Sequence, residues 1–198
     1  MKIGTISVVI FFCLIHFFTP AFGAVINVPA EYTTIQAAID VSVDGDTILV
    51  ADGTYEGAGN VNSDFAGKAI TVKSVNGPAN CIIDGKNQNR GFYFHSGEGN
   101  NSVISGFTIK NGFSPSKGGG ILFINSSPSI INCIITEISF GYGLFCENSS
   151  PSLNNCVVRN NIEGGIYCEN SSPVIMNCTI SENAGIGICC KTSSPIIS

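Results

Sequence analysis

The sequence predicts an all-β parallel solenoid, and three observations carry that prediction. One phrase recurs four times, at Gly120 to Pro128, Gly143 to Pro151, Gly165 to Pro173 and Gly187 to Pro195, with its prolines 23, 22 and 22 residues apart. A fixed period in this range marks stacked supersecondary units that share one core. Within each repeat the apolar residues keep a period of two, which is strand geometry with one buried face. The composition agrees: 23 glycines in 198 residues, 12% charged residues and no tryptophan suit a chain built from turns and small stackable side chains.

Aligning the repeats assigns each position. Ile121, Leu144, Ile166 and Ile188 form one inward row, and Phe123, Cys146, Cys168 and Cys190, two residues on, form the next. Past each proline, Ile130, Leu153, Ile175 and Ile197 point inward, followed by Cys133, Cys156 and Cys178 and then by Ile135, Val158 and Ile180. Three short strands per coil of about 22 residues give neighbouring coils about 4.8 Å apart. Asn132, Asn155 and Asn177 sit where the second strand bends into the third, and Asn tolerates the left-handed conformation that a tight bend needs. The leucine-rich repeat, the rival at this period, needs several leucines per repeat, whereas residues 120–198 hold Leu122, Leu144 and Leu153 alone.

The phrase Ser-Ser-Pro-x-Ile-x-Asn-Cys-x-Ile, with its Gly-Ile-Tyr-Cys-type strand, resembles the repeats of right-handed parallel β-helix proteins of the pectin-lyase-like superfamily. Ile35 to Ile39, Gly45 to Thr47, Val50 to Glu56 and Ile82 to Gly85 resemble that superfamily's N-terminal part. The resemblance implies a right-handed β-helix with an N-terminal capping helix. It also brings signatures to check. Polygalacturonase-like hydrolases carry paired Asp residues and Gly-His-Gly, but the mature chain's one histidine stands in Phe94-His95-Ser96. Pectin methylesterases share a stretch like Gly53-Thr54-Tyr55-Glu56, yet Ser63-Asp64-Phe65-Ala66 does not match their Asp-Phe-x-Phe-Gly. Pectate lyases use Ca²⁺-binding Asp residues, and no Asp follows Asp84. No family active site transfers to a position here, so no catalytic residue is assigned.

In chain order, residues 1–23 read as a signal peptide: Lys2, an apolar run from Ile3 to Phe18, and small residues at Ala21 and Gly23. That run is short of the about 20 residues a membrane span needs, so no span is expected after cleavage. The expected location is extracellular, at the cell surface or in the periplasm. Residues 24–66 read as the N-terminal cap and first coil, with a strand at Val25 to Val28. A helix is expected over Tyr32 to Asp40, capped by Thr and burying Ile35, Ala38 and Ile39. Residues 67–198 read as β-helix coils. Strands are expected at Ala69 to Val72, Cys81 to Asp84, Gly91 to His95 and Val103 to Ile109, and the last strand is expected to be uncapped, as in a fragment.

Three constellations could carry chemistry. Removal of Cys13 leaves eight cysteines, six of them in the two inward ladders. Stacked neighbours are poorly aimed for disulfides, so buried thiols acting as small hydrophobes are expected, with outward Cys189 the reactive one. No Cys-x-x-Cys spacing points to zinc, and no metal ligands are assigned. The outer face of the first strand carries Leu122, Phe145, Tyr167 and Cys189 in one row and Ile124, Glu147, Glu169 and Lys191 in the next. Phe145 and Tyr167 beside Glu147 and Glu169 form a candidate sugar-binding strip, where rings stack on sugars and carboxylates accept hydroxyl hydrogen bonds. A bound Ca²⁺ would relieve repulsion between the carboxylates if further oxygen ligands joined it. His95, alone on its strand, reads as structural. Asn-x-Ser/Thr occurs at Asn100, Asn125, Asn148, Asn170 and Asn177, where it reads first as turn chemistry.

A net charge of −5 with no basic run gives no surface for neutralising nucleic-acid phosphates. The functional expectation is a secreted or cell-surface scaffold that binds polysaccharide or other surface partners along its coils. The alternative is a polysaccharide lyase or hydrolase whose catalytic residues lie beyond residue 198.

Overall fold

A computed structural model describes residues 23–115 and 117–198; the leader expected over residues 1–23 lies almost wholly outside them. The described chain winds into a solenoid whose coils each contribute a strand to three sheets. The first sheet stacks Ser63–Asp64, Phe92–Phe94, Ile121–Ile124, Leu144–Glu147, Gly164–Glu169 and Ile186–Lys191. The second has eight strands, from Val25–Val28 to Ile196–Ile197, and the third has six, from Gly53–Glu56 to Thr179–Ser181. Every strand pairing among the described residues is parallel and joins one coil to the next, as in Leu144↔Ile166 and Cys146↔Cys168.

Inward parity follows the repeat. Ile121, Leu144 and Ile166 are fully buried, as are Ile130, Leu153 and Ile175. Each such aliphatic side chain contributes about 1.5–3 kcal/mol through burial. Phe94 stacks on Phe123 at 5.6 Å, and Phe123 is in register with Cys146. An aromatic column in the early coils therefore continues as a column of thiols. The short helix Ile35–Val41 buries Ile35, Ala38 and Ile39 against the entry coil, and the Thr34 hydroxyl accepts the Ala37 N–H at 3.2 Å. It begins later than expected because Tyr32 to Thr34 supply the cap and the chain leading to it.

Three left-handed corners turn each coil. Asn132, Asn155 and Asn177 have φ of 50°, 55° and 52°, as their position predicts. Asn125, Asn148, Asn170 and Thr192 do the same after the first strand, and Asn111, Glu137, Asn160 and Glu182 after the third. The expected continuous strand Val103 to Ile109 is instead two, Val103–Ser105 and Thr108–Lys110. Gly106 (φ 80°) occupies the middle corner between them; a Cβ there would collide with the Ser74 hydroxyl.

Polar side chains fill the corners by bonding to their own copies. In one column the backbone N–H groups of Ser126, Ser149 and Ser171 donate to the hydroxyls of Ser149, Ser171 and Ser193 in the following coil. In the adjacent column, Ser150, Ser172 and Ser194 donate to Ser127, Ser150 and Ser172 in the preceding coil. Buried Asn161 accepts from the Ile138 N–H and donates to the Ile135 carbonyl and to Asn183. Glu98 closes the first serine column. It is 2% exposed, and its carboxylate accepts from the Gly67 and Ser96 N–H groups and the Ser126 hydroxyl at 2.8, 2.9 and 2.8 Å. Burial opposes its charge, but these donors outweigh burial and hold its pKa below the usual carboxylate value.

Two predictions follow from this packing. Ile175 is buried and Met176 half-buried and outward, so Ile175→Asp buries an unpaired charge and prevents folding. Met176→Asp should leave the far-ultraviolet circular dichroism of the wild type; loss of fold in both, or in the second alone, would reverse the strand parity. Glu98→Gln leaves donors facing an amide in place of a carboxylate, a loss of about 1.5–3 kcal/mol. Because the folded pKa is depressed, the carboxylate's contribution is fully present above its ordinary value of 4.5 and disappears as pH falls through the lower folded value. Urea titrations at neutral pH should separate wild type from variant, and the gap should close below that window.

Candidate functional site

The outward face of the first sheet carries one in-register row: Asp64, Tyr93, Leu122, Phe145, Tyr167 and Cys189. Strand alternation aims these side chains away from the core, so an open strip is expected. The structure covers it. Leu122 is 3% and Phe145 8% exposed, while Tyr93 and Tyr167 are half-buried. Residues of the loop before Gly120 and of the segment before Gly143 fold over the row. A Cβ on Gly118 would lie 2.9 Å from the Phe145 Cβ, an approach that only glycine allows. Tyr142 leans across Tyr167 at 5.0 Å and meets Phe145 edge-on at 6.4 Å. Burial pushes the Tyr142 phenol pKa up.

The two predicted rings do come together, in a different arrangement from the one expected. Phe145 and Tyr167 stack on each other at 4.7 Å and 16°. Their faces meet along the solenoid, so the row offers ring edges and the Tyr167 hydroxyl side, not a pair of open faces.

The carboxylates are also in register, Glu147 beside Glu169, and each has its own cation. Lys117 reaches across the Phe145 ring, its Nζ 5.7 Å from the centroid, and pairs with Glu147. Lys191, one coil further on, bonds Glu169 at 2.6 Å. These lysines meet the repulsion that a bound Ca²⁺ would otherwise relieve, and among the described residues no group of three or more His, Cys, Asp or Glu could hold a metal ion.

At the N-terminal end of the same face lies a cluster that the sequence did not reveal. His95 Nε2 lies 3.0 Å from Asp64 Oδ2. Its ring stacks on Tyr93 at 4.1 Å, and Arg90 covers Tyr93 at 4.9 Å. Arg90 Nη2 donates to the Ser114 hydroxyl. The signal was present only as register: Asp64 pairs with Tyr93 across a coil boundary that lacks the regular phrase.

The eight described cysteines are free thiols. Cys81, Cys133, Cys146, Cys156 and Cys168 are buried, Cys178 and Cys189 half-buried, and Cys190 is exposed. The sequence singled out Cys189 as the accessible thiol, but Cys190 is the more open because no described coil stacks on its inward side. Burial pushes Cys81 up to about 12 and Cys133 up to about 11, so neither is a thiolate at neutral pH. Cys133, Cys156 and Cys178 each donate to the carbonyl two residues back, at 3.3, 3.4 and 3.1 Å. In the other column, Cys146 and Cys168 are in register and both are buried.

The five Asn-x-Ser/Thr asparagines, Asn100, Asn125, Asn148, Asn170 and Asn177, are all exposed. The last four are left-handed corner residues, in keeping with turn chemistry.

Comparison with known proteins places this architecture. The crystal structure of the pectin methylesterase from Aspergillus niger in deglycosylated form is similar over 89% of this chain and 86% of that one, at 12% sequence identity and a TM-score of 0.43. No curated protein sequence matches the chain. A family model described as the right handed beta helix region matches residues 47–198, from the second strand of the eight-stranded sheet to the last coil. The chain belongs to the right-handed β-helix family.

Proposed function

We propose that this protein is a secreted or cell-surface β-helix scaffold that binds polysaccharide along the outer face of its six-stranded first sheet. The observation that carries this reading is that one sheet face gathers aromatic ring edges beside charged side chains in register. Half-buried Tyr93, Tyr142 and Tyr167 present ring edges and hydroxyls, and His95, Glu147, Glu169 and Lys191 line the same face. An extended polymer lying along the axis meets several of these groups at once, so individually weak contacts add through effective concentration. Because Phe145 is covered by its loop, it supports the face and Tyr167 touches the ligand. With each carboxylate matched by a lysine, the face accepts neutral and acidic polymers without a bridging cation.

A second reading, a polysaccharide hydrolase or lyase, is favoured by one observation. Asp64 fixes the exposed imidazole of His95 on the same face, an arrangement that suits proton transfer.

Affinity electrophoresis against a panel of neutral and acidic polysaccharides tests the first reading. The wild type should be retarded, equally with and without Ca²⁺, and Tyr142→Ser with Tyr167→Ser should remove the retardation while the circular dichroism stays the same. Phe145→Ser should instead lower stability by about 1–3 kcal/mol through the lost packing. Retardation by no polymer, or equal retardation of the double variant, overturns the binding face. Polymer cleavage that is lost in His95→Ala would favour the enzyme.

A further inference from the structure

The turn that follows the third strand of each coil holds two rings that the core does not use. Among the described residues Phe140 is the one phenylalanine or tyrosine that is exposed, at 42%. Its ring lies 5.4 Å from that of half-buried Phe113 in the preceding coil, tilted by 34°, and the two residues form a parallel bridge. Ile162, in the same turn of the following coil, is 59% exposed. A single exposed apolar side chain is ordinary. Three of them in one turn of successive coils make a strip.

The backbone under the strip is tightly held. The Phe140 carbonyl accepts the Ser114 N–H at 3.1 Å. A Cβ on Gly119 would lie 2.3 Å from that carbonyl oxygen, and one on Gly141 would lie 2.0 Å from the Lys117 carbonyl oxygen. The chain on either side of the ring is therefore close-packed while the ring stands in solvent, and a ring fixed before its ligand arrives loses little freedom on binding. Two residues further on, Tyr142 leans onto Tyr167, so the strip runs into the outer face of the first sheet. Its charges differ from those of that face. Glu147 and Glu169 each have a lysine. Glu137 and Glu163, in the same two turns as Phe140 and Ile162, are exposed, and among the described residues they take part in no ion pair.

We propose that Phe113, Phe140 and Ile162 form a second subsite that selects neutral β-linked polysaccharide. The apolar strip packs on the C–H faces of the sugars, and Glu137 and Glu163 accept their hydroxyl hydrogen bonds. Sugars with equatorial hydroxyls keep C–H groups on both faces, and that is the surface an aromatic ring covers. The subsite rests on the polysaccharide reading of the first sheet and narrows it. A chain lying on the sheet alone is accepted whether neutral or acidic. One that also crosses the strip must be neutral, because an anionic sugar brings its charge against two carboxylates that no cation offsets.

The test is affinity electrophoresis in gels containing hydroxyethylcellulose or carboxymethylcellulose, a neutral and an acidic polymer on the same β-linked backbone. The wild type should be retarded more by the neutral one. Phe140→Ser should lower the hydroxyethylcellulose affinity roughly two- to tenfold and leave the circular dichroism unchanged. Glu137→Gln with Glu163→Gln should raise the carboxymethylcellulose affinity toward the neutral level. Asp40→Asn with Asp44→Asn, which removes the same charge from the N-terminal cap, should not. Should Phe140→Ser fail to fold, the carboxylate variants decide. Undiminished retention of a folded Phe140→Ser, or no gain for acidic polymer beyond that of the cap control, overturns the subsite. If Tyr142→Ser with Tyr167→Ser loses retention while Phe140→Ser keeps it, the sheet face stands and the subsite alone falls. Retention of the wild type by neither polymer removes both.

Discussion

The constraint on which the whole molecule depends is that each residue lies beside its own copy, one coil away and about 4.8 Å off. A side chain that cannot stand next to itself is excluded from the regular coils or must be compensated. Serine and asparagine meet the condition because each donates and accepts, so Ser126 to Ser193 and Asn161 to Asn183 bond along the axis. Phenylalanine meets it by stacking, as Phe94 does on Phe123, and cysteine by being small. Glutamate fails it. Glu147 and Glu169 are retained with lysines brought from opposite directions, Lys117 from the preceding coil and Lys191 from the following one.

Much of this was legible in the sequence, since its causes are local and repeated. The inward rows through Ile121, Ile130 and Ile135 show in the parity of the apolar residues, and the middle corner shows in Asn132, Asn155 and Asn177. The corner after the third strand was less visible because its left-handed residues vary: Glu137 and Glu182 stand where Asn111 and Asn160 stand in neighbouring coils. The break at Gly106 was hidden inside an apolar run, where a glycine looks like a weak strand residue.

The outer face was half legible. Register alone placed Phe145 beside Tyr167 and Glu147 beside Glu169. What covers Phe145 could not be read from periodicity, because the covering residues, Lys117, Gly118 and Tyr142, belong to loops that occur once. Only the Gly118-Gly119-Gly120 run marked a backbone that must pass close to something. The covered row also explains how a single-layer solenoid wall is made stiff: Leu122 and Phe145 give the first sheet a thin second core on its outside. Loops that vary from coil to coil can then present different polar groups on a wall that does not change.

The two serine columns run side by side with opposite sense, Ser126 donating forward to Ser149 while Ser150 donates back to Ser127. Each column by itself is a chain of aligned dipoles that would lengthen with every added coil. Side by side they cancel, so this corner carries no growing polarity along the axis. A duplication of the 22-residue unit therefore adds length without adding a field at either end, and the repeat number can drift in evolution with no electrostatic limit set by its own turns.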